Sequence, residues 1–157
     1  MRLPNGVTGF FSSSDSHLTQ MDERQFRQYC YSVVNYNDGK LNNLKESEYP
    51  MNFYHAHITF KNGDFHILLN KHYPLLAFAS SVNNECIEFI DVPSQIELLF
   101  STYEVLHTSI LKQPVIFGNH SKQDFLQVDH ALNRAELEAI KYWKPSIIGE
   151  IIFNYWD

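Results

Sequence analysis

Cysteine is scarce in this sequence. Its 157 residues hold two, Cys30 and Cys86. Neither has a second cysteine at metal-ligand spacing, which excludes disulfide-scaffold and zinc-finger classes. The expectation is two buried free thiols in a reducing compartment. Long hydrophobic runs are also missing: none approaches the ~20 residues a spanning helix needs. The opening MRLPNGVTGFF has no long apolar region of the kind a signal peptide carries. Together these predict a cytoplasmic protein with no membrane contact. Basic charge is short as well, with 12 Lys and Arg against 18 Asp and Glu, a formal charge of -6. Nucleic acid is therefore not expected as a partner, since binding it needs a cationic face that displaces counterions. P-loop, dinucleotide and nucleophile-elbow patterns are absent, so no cofactor is expected and the balance leans away from an enzyme.

What is present reads as globular. Hydrophobic residues make up 44%, aromatics 15% and charged residues 19%. That composition and length suit one domain over 1–157 with a real core. No repeat or low-complexity tract divides it.

The turn-rich start LPNGVTGFF leaves room for a short strand around Val7 to Phe11, followed by a polar connector from Ser12 to Ser16. Thr19 or Asp22 then caps a helix over 22–36. Phe26, Cys30, Val33 and Val34 recur on one side of it, and Asn37-Asp38-Gly39 stops it. KLNNLKESE reads as a polar edge strand. NFYHAHITF and DFHILLNK flank Asn62-Gly63, a two-residue hairpin signal. LLAFASSV and CIEFIDV form a second hairpin around Asn83-Asn84-Glu85. Short connections dictate antiparallel pairing. The fold class is α+β: an antiparallel meander of four or five strands over about 41–92. Helix 22–36 covers the face of Tyr54, Ile58, Phe60, Phe65, Ile67 and Leu69, and C-terminal helices cover the rest.

Beyond Pro93, Ser94 caps a short helix that turns Ile96, Leu99 and Phe100 inward. The stretch from Lys112 to Phe125 reads as loop. Asn133 with Glu136 three residues on forms a capping box. A last helix, begun at Pro145 and capped by Ser146, lines up Ile147, Ile148, Ile151, Ile152 and Tyr155. Tyr155 and Trp156 in FNYWD read as a structural anchor.

The chemistry-bearing cluster is YHAHITFKNGDFH. A loop at Asn62-Gly63 sets Thr59 opposite His66, His57 opposite Leu68 and His55 opposite Asn70. That places His55, His57, His66 and Asn70 together on the polar, non-core face. Three histidines invite a metal, which wants three or four convergent ligands. A cupin-like His-x-His site also needs a carboxylate shortly after, and ITFKNG supplies none. A polar sheet face is the simpler reading, and no metal ligand is assigned.

LPNGVTGFF, HILLNKHYPLLAFAS and YWKPSIIGEIIFNYWD together resemble a group of small uncharacterised bacterial proteins of low-GC Gram-positive species. In size, charge and style such proteins are similar to immunity proteins that neutralise secreted toxins. The resemblance implies an immunity-type module. The acidic charge, the polar face of His55, His57, His66 and Asn70, and the abundance of Tyr and Trp point to a non-catalytic protein-binding module with a basic protein partner. A metal-assisted enzyme built on the same histidines is the alternative. Oligomeric state stays open.

Overall fold

The computed structural model describes all residues except 14–19, 46–47, 62 and 119–125. The expected connector through Ser16, the Thr19 cap and Asn62 fall wholly or partly outside the described residues.

Helix α1 spans Glu23–Tyr36. Asp22 caps it, its carboxylate accepting the backbone N–H groups of Arg24 and Gln25. This satisfies donors that a helix start otherwise leaves unpaired. The residues it buries are Phe26, Cys30, Val33 and Val34. Asp38, at φ 53°, then turns the chain back toward the sheet.

Five strands follow as a meander: β1 Lys40–Lys45, β2 Phe53–Phe60, β3 Gly63–Asn70, β4 Leu75–Val82 and β5 Ile87–Ile90. Their spatial order matches their order in sequence, and every pairing between them is antiparallel. A two-residue strand, β6 Glu104–Val105, lies parallel to the start of β4. Leu76 pairs with Leu69 of β3 on one side and Val105 of β6 on the other. β5 and β6 therefore share one edge of β4. Helix α2, Ser94–Leu98, lies between them in the chain.

One apolar face of the sheet meets α1, as expected. Tyr54, Ala56, Ile58, Phe60, Ile67 and Leu69 are buried with Phe26, Cys30 and Phe100, and Phe65 packs against them. The other face is not a solvated polar surface. Phe53, Leu68, Ala77, Ala79 and Phe89 form a second core with Leu106, Leu111, Ile140, Ile148, Ile151 and Phe153. Burial depends on position along the strands as well as on face. β3 runs from exposed at Gly63 to buried at Asn70, and β4 is buried from Leu75 to Ala79. LLAFA is a continuous apolar run, which belongs to a strand covered on both sides.

The second layer holds three helices: α3 Thr108–Leu111, α4 Arg134–Trp143 and α5 Ile148–Ile152. The Asn133–Glu136 capping box is present. Several other expectations are corrected. Residues 5–9 form turns, not a strand, with Val7 N–H bonded to Pro4 O and Gly9 N–H to Gly6 O. Pro93 precedes α2 as its cap residue, and Ser94 is already helical. The last helix stops early, because Phe153 is extended at φ -124°, ψ 107°, which takes Tyr155 off the helical stripe. Ser146 is not its cap; it donates its backbone N–H and hydroxyl to Glu150. Tyr155 and Trp156 do pack against the second core. Among the described residues no helix is long and apolar enough to cross a membrane.

Candidate functional site

The register of the β2–β3 hairpin differs from the expected one. Phe60 pairs with Gly63, so the two strands close on each other one residue earlier than expected. His57 thus faces His66, and His55 faces Leu68. Each strand has moved by one position, and the two shifts together keep every side chain on its expected face. The Thr59 hydroxyl donates to Asp64 across the shifted register. Gly63 tolerates φ +141° at the point of closure.

The three histidines do meet. His57 and His66 stack at 4.3 Å between ring centroids with planes 5° apart. His55 Nε2 and His66 Nδ1 lie 2.8 Å apart. One of these nitrogens must carry the proton and the other a lone pair, which requires at least one neutral ring. The His66 pKa is lowered, chiefly by burial and next by His57, with Asp64 acting the other way.

This is a stack, not a chelate. Imidazole lone pairs lie in the ring plane, so the stacked His57 and His66 rings hold theirs in separate, nearly parallel planes. Zinc requires nitrogens converging at about 2 Å. Among the described residues, no group of three or more His, Cys, Asp or Glu is arranged to hold a metal. The geometry gives the metal-assisted alternative no support.

Accessibility divides the four residues named from sequence. His57 and His66 are half-buried, whereas His55 is 7% exposed and Asn70 is 0% exposed. Asn70 is thus not an anchor on an open face. Its amide donates to Val7 O at 2.9 Å and Ile152 O at 2.7 Å. Its carbonyl accepts from the backbone N–H groups of His72 and Tyr73. Asn52 donates to the same two carbonyls and accepts from Asn154 N–H. Asn154 in turn donates to Thr8 O and Ile151 O. Three asparagines therefore tie the N-terminal turn and the residues after α5 to the ends of β2 and β3. The periodicity of β3 placed Asn70 on the right face. It carried no sign that a distant segment covers that end.

The thiols divide too. Cys30 is buried, and burial pushes its pKa up to about 12. Cys86 is exposed, against expectation, because it lies in the β4–β5 connection and not in the strand.

Two surface features went unread in the sequence. First, no Lys or Arg occurs between Lys71 and Lys112, while Glu85, Glu88, Asp91, Glu97 and Glu104 do. Folding brings that stretch to the β5–β6 edge of the sheet, where Glu85, Glu88, Asp91 and Glu104 are exposed. Leu98 of α2 is 70% exposed beside them in the chain. The opposite edge, β1, begins and ends with lysine. Second, a cleft of about 460 Å³ opens where the N-terminal turn, residues 49–52, residues 71–72 and Trp156 come together.

No protein-family profile matches this chain, and neither a curated protein nor a solved structure matches it.

Proposed function

We propose that this chain is a non-catalytic protein-binding module of the immunity type, which masks a basic protein partner. The observation that carries the reading is the acidic edge formed by β5, α2 and β6. Its carboxylates are exposed, they lie along one side of the sheet, and the sequence between Lys71 and Lys112 offers them no lysine or arginine, although His107 lies 2.9 Å from Glu97. Lys112 reaches back to Glu88 at 2.9 Å, but both side chains are about half exposed and the pair is solvent-screened. Such an edge attracts a cationic protein from solution and repels acidic competitors. Leu98 of α2, between β5 and β6 in the chain, adds exposed apolar surface.

The resemblance to small bacterial proteins, and through them to immunity proteins, belongs to the same proposal. His57 and His66 are a secondary contact in it. His55 and Asn70 act from within, by fixing the strands.

The test is affinity capture from the native cell at low salt, followed by kinetics with the purified partner. A basic protein is expected, with association slowing as salt rises. Glu85→Lys/Glu104→Lys should slow association by about tenfold or more, since charge placement acts mainly on the on-rate. No partner at low salt, or binding indifferent to both salt and charge reversal, would remove the reading.

A further inference from the structure

We propose that the cleft between the N-terminal turn and the β3–β4 connection binds a small aromatic carboxylate, with the ring among Phe10, Phe11 and Trp156 and the carboxylate at Lys71 and His72. At about 460 Å³ it falls within the volume range of small-molecule sites. Segments distant in sequence converge on it, so its shape is set by the fold and not by one loop.

Its walls are aromatic. Phe10 and Trp156 lie 6.5 Å apart at 48°, and Phe11 meets His72 edge-on at 5.1 Å. Tyr49, at 84% exposed, stands on the rim. Rings in this arrangement offer faces and edges to a flat apolar guest.

Its polar groups select the guest's charge. Lys71 is half-buried, with its ammonium 5.9 Å from the Tyr54 ring centroid. The ammonium donates to Met51 O, leaving further N–H groups for a ligand. Burial lowers its pKa, while the nearby Glu23 carboxylate opposes that shift.

His72 adds a second donor. Its Nδ1 is buried and has no hydrogen-bond partner among the described residues. Burial and Lys71 lower its pKa, favouring the neutral ring. Placing the single proton on Nε2 avoids leaving an N–H orphaned at Nδ1. Gly9 lies beside that Nε2, where a Cβ built on it would come to ordinary contact distance, 3.7 Å. Asp157 also lines the cleft. Its charge disfavours a dianion and suits a monocarboxylate, including the zwitterion of an aromatic amino acid.

The experiment is calorimetric titration of the full chain with indole-3-acetate, alongside indole and a nucleoside monophosphate. Saturable one-to-one binding of the carboxylate is expected, with indole weaker by about tenfold, the loss of one charge-assisted contact. Lys71→Met keeps an unbranched side chain without the charge and should weaken binding by about tenfold while leaving affinity for indole unchanged. Unchanged indole affinity also shows that this variant is folded. No saturation at millimolar carboxylate overturns the proposal. So does equal affinity of wild type and Lys71→Met, or preference for the nucleoside monophosphate.

Discussion

Thr8 donates both its backbone N–H and its hydroxyl to one oxygen of Glu136, at 3.0 and 2.8 Å. The other oxygen accepts Gly6 N–H and Asn133 N–H, each at 2.9 Å. Glu136 is 0% exposed, so a helix-capping carboxylate also organises a turn about 130 residues earlier in the chain. Glu136→Ala should cost about 3–5 kcal/mol, because it leaves several buried N–H groups without acceptors. Urea unfolding measures this. A loss below about 1 kcal/mol would mean that water replaces the carboxylate and the clamp is weak.

Asn70→Asp changes one NH2 to an oxygen with almost no change of shape. It turns two donated hydrogen bonds, to Val7 O and Ile152 O, into oxygen–oxygen contacts. The expected loss is about 2–4 kcal/mol of stability, the range for a buried polar group made unsatisfied or charged. Partner binding by the fraction that stays folded should be unchanged. Lost binding at full stability would make Asn70 a contact residue after all.

The sheet and α1 were legible because their signals are local: a 3.6-residue stripe ending in Asn37-Asp38-Gly39, and apolar alternation around a Gly-containing turn. The hairpin register was misread by one residue per strand, since both Asn62-Gly63 and Lys61-Asn62 satisfy the same alternation. The face carrying Leu68 and Asn70 was read as open. Its cover comes from residues beyond 105 and from the N-terminal turn, at separations where periodicity says nothing. β6 is too short for any pattern. The acidic edge is visible in composition, but only the pairing of β5 and β6 on one side of β4 makes it a surface.

Acid should destabilise the protein through His66 and His72. Both have pKa values lowered from 6.5, mainly by burial. The unfolded chain therefore binds protons more readily than the folded one. Their stabilising contribution is fully present above pH 6.5 and is lost as pH falls through the lowered folded values. Double protonation would also end the His55–His66 hydrogen bond. Melting temperature should fall between pH 7.5 and pH 5, and His66→Gln with His72→Gln should flatten that dependence. An equally steep fall in the double variant would assign it to carboxylates instead.

Gly149 and Gly63 test packing and backbone separately. A Cβ on Gly149 would sit 2.4 Å from Phe89 Cε2 and 3.1 Å from Leu111 O, at an ordinary φ. Gly149→Ala should cost about 1–3 kcal/mol by forcing α5 off β5. Gly63→Val meets no close neighbour but must adopt φ +141°. Its cost, about 1–3 kcal/mol, would be backbone strain alone. Pairing Gly149→Ala with Phe89→Leu should recover stability, whereas Gly63→Val should not respond to Phe89→Leu. Rescue of both or neither would contradict this division.

The two thiols should react at very different rates. Cys86 is exposed in the β4–β5 connection, whereas Cys30 lies in the α1 core with its pKa pushed up to about 12 by burial. The thiolate is the reactive form, so Cys30 is both inaccessible and almost wholly protonated in neutral solution. Native protein should release one equivalent from a disulfide reagent quickly, and Cys86→Ser should remove that phase. Cys30 should react only at the rate of unfolding, so that Glu136→Ala accelerates it while Cys86 is unaffected. A fast Cys30 phase in the native wild type would mean that α1 leaves the sheet without global unfolding. The core that Cys30 shares with Phe26, Ile58 and Leu69 would then be a separate, weaker unit.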